Sequence, residues 1–179
     1  PQTPPPPGQA PVPPPPGQAA PGAGYGAAPG GLLPELGLTL ADPWARIGAR
    51  LIDVVIIIVV TIPLAAAVLS SDSVNSFTTV IPILILGAAY EIGFVGALGG
   101  TPGKLLLGLR IVEQESGTTP PAWDMAALRW APALVNLLPF LGGLILFGIA
   151  IISLVWLFSD ERRRTVYDRI ATTYVVKKP

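Results

Sequence analysis

Long apolar runs constrain the fold of this chain more than any other feature. Residues 54–69 reach the roughly 20 residues needed to cross a hydrocarbon core once residues 47–53 supply the first turns of the helix. Residues 80–98 form a second run, interrupted only by Glu91. Hydrophobic residues make up 51% of the sequence and charged residues only 12%, so the composition also favours a membrane protein over a soluble globule.

A third apolar stretch, residues 122–158, is too long for a single crossing. One helix of that length would measure about 55 Å, against a hydrocarbon core of about 30 Å. Pro132, Pro139 and the pair Gly142 and Gly143 interrupt the stretch. We therefore predict a hairpin of two helices, about 122–138 and 144–158, of which the first is either a full crossing or a re-entrant segment.

The distribution of cations predicts the number of crossings. Arg46 and Arg50 precede the first run, Lys and Arg lie between the second and third runs and follow the last, whereas residues 70–79 contain no cation. The positive-inside rule then requires an even number of crossings. We predict an all-α integral membrane protein, a four-helix bundle with helices at about 45–69, 80–98, 122–138 and 144–158. Residues 99–121, residues 159–179 and both termini would be cytoplasmic; a three-helix alternative would place one basic flank outside.

The first 37 residues form a proline-rich, low-complexity tail, and residues 38–179 form the transmembrane domain. The sequence PPPPGQA occurs at residues 4–10 and again at 13–19. Such runs favour polyproline II and cannot bury a core. The tail is therefore either a solvated tether or a strip that docks in a partner's aromatic groove. The prolines of the two repeats that would bind a partner are Pro4, Pro5, Pro6, Pro7, Pro13, Pro14, Pro15 and Pro16.

The residue types missing from the sequence restrict its chemistry. There is no cysteine and no histidine, which removes thiolate nucleophiles, Cys/His zinc sites and histidine acid/base catalysis. We therefore expect no enzyme activity, no metal and no cofactor. The formal net charge is zero, so no global basic excess predicts a nucleic-acid partner.

Charged residues stand at the start of the first apolar run. Arg46 and Asp53 are seven residues apart, two helical turns, and Arg50 lies three residues before Asp53, so all three can share one face of a helix. Both arginines are either simple membrane anchors paired with Asp53 or part of a functional cluster. Asp53 lies deeper than an anchor requires, which favours a role in packing or function.

Glu91 lies well inside the second apolar run. An ionisable group at that depth needs a partner or water, and the sequence offers Arg129 or Arg46 as candidates for an ion pair. The alternative is a protonatable site in a cation pathway, formed by Glu91 and Asp53.

Two further segments lie at the predicted membrane surface. The sequence GGTPGKLLLG lacks the glycine and the Ser/Thr of a phosphate-binding loop, so Lys104 is expected at the lipid headgroups. The cluster Arg162, Arg163 and Arg164 would meet anionic lipid. The β-rich sequence TTYVV, near the C-terminus, could pair with LRIVE at residues 109–113 in a small cytoplasmic β element.

Together these stretches resemble the RDD family of bacterial membrane proteins, named for an Arg-Asp-Asp set. The matching parts are RIGARLID, GGTPGKLLLGLRIV, AALRW and DERRRTVYDRIATTYVV, from about residue 44 to residue 176. The resemblance maps the named residues to Arg46, Asp53 and Asp168, and adds Lys104, Arg129 and Arg164 as motif positions. Members often carry histidine where this chain has Tyr167, which argues against proton handling there.

The resemblance implies a charge cluster on the cytoplasmic side, in which Arg46, Asp53, Arg129 and Asp168 neutralise one another and tie the C-terminal segment to the bundle. The proline-rich extension looks like that of actinobacterial relatives, which implies a plasma membrane location. Sodium/proton antiport has been proposed for some members.

Two functions compete at this stage. The first is a small accessory or assembly subunit of a larger membrane complex, such as a respiratory-chain assembly, in contact with lipid and with neighbouring subunits. The alternative is a cation or proton-coupled transporter that uses Glu91 and Asp53. Four helices are few for a monomeric transporter, so the second function would need a homo-oligomer.

Overall fold

The structure is a computed structural model that describes residues 31–70, 76–138 and 140–178. Its helices are α1 (Pro43–Leu69), α2 (Ser76–Leu98), α3 (Pro102–Leu106), α4 (Trp123–Trp130), α5 (Leu141–Ser159) and α6 (Val166–Ile170). A 3₁₀ helix (Ala131–Leu137) follows α4, and the strands are β1 (Leu32–Leu33), β2 (Leu38–Thr39), β3 (Leu109–Glu113) and β4 (Thr173–Lys177). The prolines predicted to bind a partner lie outside the described residues.

Within the described part of the chain, three helices are long and apolar enough to cross a membrane. The candidate spans are Pro43–Ala67, Thr78–Leu98 and Leu141–Ser159. The carboxylate of Asp42 accepts hydrogen bonds from the N–H groups of Trp44 and Ala45 (2.9 and 3.3 Å), which satisfies two of the free donors at the start of α1. Pro43 begins the same helix, where its missing N–H has no consequence. The chain is therefore a mostly helical membrane protein.

The predicted helix at about 122–138 is not one continuous α-helix. The eight residues of α4 are followed by the seven-residue 3₁₀ helix, and neither helix is among the three long apolar spans of the described residues. Pro132 explains the break, since a proline lacks the N–H that an α-helix interior requires but is accepted at the start of a new helix. The predicted helix 144–158 begins three residues earlier than expected, at Leu141, and ends at Ser159.

Contacts between the helices show their directions. Trp44, at the start of α1, packs edge-on against Phe158, at the end of α5, with ring centroids 5.5 Å apart. Tyr90 of α2 reaches Asp53 of α1, and the segment after α2 returns to Ala49, nearer the start of α1. Both α2 and α5 therefore end at the end of the bundle where α1 begins, which we call the charged end.

The segment formed by α4 and the 3₁₀ helix runs back along α2. A Cβ added to Gly96 would lie 2.4 Å from the ring of Trp123, so only glycine permits this contact. Further along, a Cβ at Gly87 would lie 3.4 Å from the indole nitrogen of Trp130. The order of these contacts, from the end of α2 towards its middle, sets the direction of the segment.

Strands β3 and β4 pair antiparallel, with Leu109 opposite Lys177 and Glu113 opposite Thr173. This pairing confirms the predicted contact between LRIVE and TTYVV. Because side chains alternate across a strand, the two faces of the pair enter two clusters. Ile111 and Val175 pack with Ala49, Val95 and Ala126 from the helices. The opposite face carries Val112, Tyr174 and Val176.

A small hairpin of β1 and β2 covers that opposite face. Leu33 and Leu40 are only 3% and 2% exposed and pack on the β3–β4 pair, and Leu40 bridges to Val176. Composition predicted that the tail ends at residue 37; in the structure, Leu33 of that stretch lies in β1 and packs in the buried cluster. Residues 31–37 contain leucines that fold into this hairpin. Composition did not predict this, because the proline and glycine around them give no sign of the strand pair on which they pack.

Truncation of the sheet core should destabilise the fold. Ile111 is fully buried, so Ile111→Ala is expected to lower the free energy of unfolding by about 2–5 kcal/mol. The same change at Ile170, which is 45% exposed, should cost less than about 1 kcal/mol. Unfolding of the purified protein in detergent, followed by circular dichroism, compares the two variants. Equal losses would contradict the described packing.

Candidate functional site

The charged end contains a buried carboxylate between two arginines. The Oδ2 atom of Asp168 accepts from Nη2 of Arg46, and its Oδ1 atom lies 2.5 Å from Nη1 of Arg129. The exposed fractions of Arg46, Arg129 and Asp168 are only 8%, 4% and 0%. We call these three residues the arginine–aspartate triad.

Residues close to Asp168 in the sequence hold the carboxylate of the triad in place. Thr165 and Asp168 form a capping box at the start of α6, in which the Thr165 N–H donates to Asp168 Oδ2 (3.0 Å) and the Asp168 N–H donates to Thr165 Oγ1 (3.3 Å). The spacing Thr-x-x-Asp is a sequence signal for such a box. Sequence analysis named Asp168 but missed Thr165, which that signal could have revealed.

The two arginines connect the triad to distant parts of the chain. Arg46 of α1 also donates to the carbonyl oxygen of Arg163, just before α6. Arg129 of α4 also donates to Oγ1 of Thr173 in β4, at 2.5 Å. The triad therefore joins α1, α4, α6 and β4.

The ionised form of Asp168 is stabilised by its neighbours. Burial alone would raise the pKa of this carboxyl group, but the guanidinium groups of Arg46 and Arg129 and the Thr165 N–H outweigh burial and hold the pKa well below its usual range. Two guanidinium groups share one carboxylate, so the triad carries one net positive charge. In addition, the buried Nε of Arg129 has no hydrogen-bond partner among the described residues.

Asp53 lies in a separate set of hydrogen bonds. Its carboxylate accepts from the Tyr90 hydroxyl (2.8 Å), Thr101 Oγ1 (2.5 Å) and the Gly103 N–H (2.7 Å). Sequence analysis placed Asp53 in one mutually neutralising cluster with Arg46, Arg129 and Asp168; the ion pairs of the described residues include the other three but not Asp53. Neutral donors, all missed by that analysis, surround Asp53 instead.

The contact between Asp53 and α3 requires a glycine. A Cβ at Gly103 would lie 2.2 Å from the carbonyl oxygen of Ala49 and 2.9 Å from the carboxylate of Asp53. Pro102 begins α3 directly after Thr101, a combination that marks a helix start in sequence. The conformation of these residues brings the backbone of α3 against α1.

Glu91 forms an ion pair with Arg50, at 3.7 Å between Oε2 and Nη1. Its predicted partners, Arg129 and Arg46, are therefore not the ones it uses, because they are both engaged by Asp168. Glu91 and Asp53, proposed together as an ion or proton site, have different partners: Glu91 pairs with Arg50, whereas Asp53 accepts hydrogen bonds from Tyr90, Thr101 and Gly103.

A partly open cavity of about 230 Å³ adjoins the triad between the charged ends of α1, α2 and α5. Hydroxyl-bearing and apolar side chains form part of its wall. The charged residues that line it are Arg46, Arg50, Glu91, Lys104 and Arg129. Burial lowers the pKa of Lys104 to about 8, although the nearby carboxylate of Glu91 acts in the opposite direction.

Each of the four residues predicted at the membrane surface has a hydrogen-bond or ion-pair partner within the chain. Lys104 donates to Thr101 Oγ1 at 3.2 Å. Arg162 donates to the Tyr174 hydroxyl at 2.6 Å, Arg163 to the Ala41 carbonyl at 3.3 Å, and Arg164 pairs with Asp160 at 3.4 Å.

The described residues contain no group of three or more His, Cys, Asp or Glu side chains that could hold a metal ion. The site consists instead of guanidinium, ammonium, hydroxyl and carboxylate groups. Such groups can bind an anion or hold segments of the chain together.

Comparison with protein families identifies the relationship of this chain. A family model described as RDD family matches residues 40–172, about three quarters of the sequence. The chain belongs to the RDD family. The match includes the triad, Asp53 and Lys104, whereas β1, β2 and β4 lie outside it. No curated protein matches the chain, and no solved structure matches it either.

Removal of the triad carboxylate should destabilise the RDD protein more than removal of an exposed one. Asp168→Asn leaves two buried guanidinium groups without a counter-charge, so we expect a loss of about 3–5 kcal/mol in unfolding free energy. Glu35→Gln is the matched control, since the pair of Glu35 with Arg162 is about half exposed and should contribute at most about 1 kcal/mol. Chemical unfolding in detergent at pH 7 measures both.

The stability of Asp168→Asn should depend on pH differently from that of the wild-type protein. The folded pKa of Asp168 lies below its ordinary value of 3.8, so its stabilisation is complete above that pH and is lost as the pH falls through the folded pKa. Wild-type protein should therefore lose more stability on acidification below about pH 4 than Asp168→Asn does. Parallel pH profiles, or similar losses for both carboxylate variants at pH 7, would contradict the role of the triad.

Proposed function

We propose that this RDD protein is a non-catalytic accessory or assembly subunit of a larger complex in the plasma membrane. We also propose that it crosses that membrane four times, with both termini in the cytoplasm. The two parts rest on different observations, and each has its own test.

The directions of the helices support four crossings. Because α2 ends at the charged end and α5 begins at the opposite end, the chain between them must return across the bundle. The eight residues of α4 and seven of the 3₁₀ helix extend about 26 Å at 1.5 and 2.0 Å per residue, close to a core of about 30 Å. This segment, packed on α2, is the proposed fourth crossing.

The cations support the orientation. All eleven Lys and Arg residues belong to segments that meet at the charged end, and residues 51–103 and 130–161 contain none. The positive-inside rule assigns such an end to the cytoplasm. Trp44 and Trp123, exposed at the starts of α1 and α4, suit the membrane–water interface there.

Cysteine labelling tests the orientation without interference, because the sequence contains no cysteine. Lys178→Cys, at the charged end, should resist a membrane-impermeant maleimide in intact spheroplasts and react after permeabilisation. Ser70→Cys, exposed at the opposite end of α1, should react in both samples. The opposite pattern would reverse the orientation, and labelling of both residues in intact cells would exclude an even number of crossings.

The small internal burial of the spans is the observation that carries the accessory role. Only 11%, 17% and 17% of the most apolar window of each candidate span is buried within the chain. On α1, the exposed residues Leu51, Val55, Val59 and Ile62 recur at helical spacing and form one continuous apolar face. Faces of this kind contact lipid or the helices of another subunit.

The proline-rich tail favours a protein partner, rather than lipid alone, as the molecule that this chain contacts. Its proline repeats are suited to bind in an aromatic groove, and they precede a hairpin that is fixed on the β3–β4 pair. The described part of the chain therefore begins at the charged end, after the proline repeats in the sequence. A partner held by both the tail and a span would gain affinity, because the second contact becomes intramolecular.

Transport is the weaker alternative. Carboxylates inside two spans are the feature that supports it. However, Asp53 already accepts three hydrogen bonds, and Glu91 is paired with Arg50 beside a cavity that is also lined by Arg46, Lys104 and Arg129. This many cations would repel the sodium ion or proton that such a site must bind.

Site-specific photocrosslinking tests the accessory role. A photoreactive residue at Val55, on the exposed face of α1, should give a protein adduct of defined mass, and so should one at Pro14, in the tail. The proteins captured at the two positions should be subunits of one complex. A residue at Glu115, exposed in the loop after β3, serves as the control and should give none. Deletion of residues 4–19 should lower recovery of that complex several-fold. Lipid adducts alone at Val55, together with a single small species on native gels, would refute the proposal.

A further inference from the structure

The charged end contains more cations than carboxylates. The triad has one net positive charge, the pair of Arg50 and Glu91 is neutral, and Lys104 lies near Asp53. Buried or half-buried charge that is not compensated is costly, because the surrounding protein screens it less than water does. The cations in this count are Arg46, Arg50, Lys104 and Arg129, and the carboxylates are Asp53, Glu91 and Asp168.

A side chain that lines the same cavity carries a donor without a partner among the described residues. Arg129 lines the cavity and is 4% exposed, and its buried Nε has no acceptor among the described residues. Native proteins seldom leave such a group unsatisfied, so this side chain is suited to an acceptor that the described residues do not supply. The cations that line the cavity favour an anion as that acceptor.

We propose that this cavity binds a phosphate group, either in the headgroup of an anionic lipid or as free phosphate. Arg129 and Lys104 would donate to its oxygens, since guanidinium and ammonium groups form short charge-assisted hydrogen bonds with phosphate. The volume of about 230 Å³ is far larger than the 10–15 Å³ that one water molecule needs, so a hydrated phosphate fits.

The remaining wall suits a lipid as the source of the phosphate. Ser153, Thr165 and Tyr167 contribute hydroxyl groups to the wall. Ile47 of α1 and Ala150 and Leu154 of α5 contribute apolar side chains, and both of these helices are candidate spans. A phospholipid could therefore place its phosphate among the cations while its acyl chains follow α1 and α5. This inference does not depend on the accessory role, because the site is formed within one chain.

Ligand-dependent thermal stability tests the site and distinguishes the two sources. Full-length protein in an uncharged detergent is titrated with short-chain phosphatidylglycerol, with phosphatidylcholine of equal chain length, and with inorganic phosphate against chloride at equal ionic strength. A rise in Tm with phosphatidylglycerol but not with phosphatidylcholine or inorganic phosphate supports a lipid ligand. An equal rise with inorganic phosphate supports free phosphate as the ligand.

Two variants distinguish binding in the cavity from non-specific electrostatic attraction between the ligand and the protein. Lys104→Gln should weaken the apparent Kd about tenfold or more, because a hydrogen bond to a charged group is lost. Lys178→Gln removes an exposed cation outside the cavity and should change the Kd less than twofold. The Tm of each variant without ligand verifies that it is folded.

Glu91→Gln should change the affinity for phosphate in the opposite direction to Lys104→Gln, and that result would exclude a cation site. This change removes the carboxylate that lines the cavity, so phosphate should bind more tightly to the variant than to the wild type. Weaker binding by Glu91→Gln, equal effects of Lys104→Gln and Lys178→Gln, or no stabilisation by any phosphate-bearing ligand would overturn the proposal.

Discussion

A carboxylate that is removed from water and placed between two arginines determines the arrangement at the charged end of this RDD protein. Asp168 cannot remain ionised in that position without Arg46 and Arg129, and neither arginine can be buried without Asp168. The elements that carry these residues must therefore meet in one geometry. This requirement fixes α4, α6 and β4 on the first turns of α1, although the sequence separates Arg46 from Asp168 by 122 residues.

Asp53 has the corresponding function for the segment that follows α2. Its three donors come from α2, from Thr101 and from the backbone of α3, and the close approach depends on Gly103. Two carboxylates thus hold the short elements onto the ends of the spans. The spans themselves bury little against one another, so these polar contacts, and the sheet clusters beside them, provide much of the specificity of the fold.

The same arrangement explains why the charged end suits anions better than cations. The arginines that neutralise Asp168 exceed it in charge, Glu91 is paired with Arg50, and Asp53 accepts three hydrogen bonds. A protein with this property could contact anionic headgroups at one end and present its exposed apolar faces to lipid or to other helices. The proposed accessory role and the proposed phosphate site are therefore compatible uses of one structure.

The sequence by itself determined the features that depend on local composition and spacing. The three long spans follow from apolar length, the pairing of β3 with β4 from two β-rich segments, and the family from motifs around Arg46, Asp53 and Asp168. Only the tertiary structure decided which charges are partners: Asp53 with neutral donors, Glu91 with Arg50, and Asp168 with both buried arginines. It also divided residues 122–138 into two short helices and included residues 31–37 in the fold. The physical reason is that hydropathy and periodicity are properties of neighbouring residues, whereas the partner of a charge depends on which distant elements are packed against it.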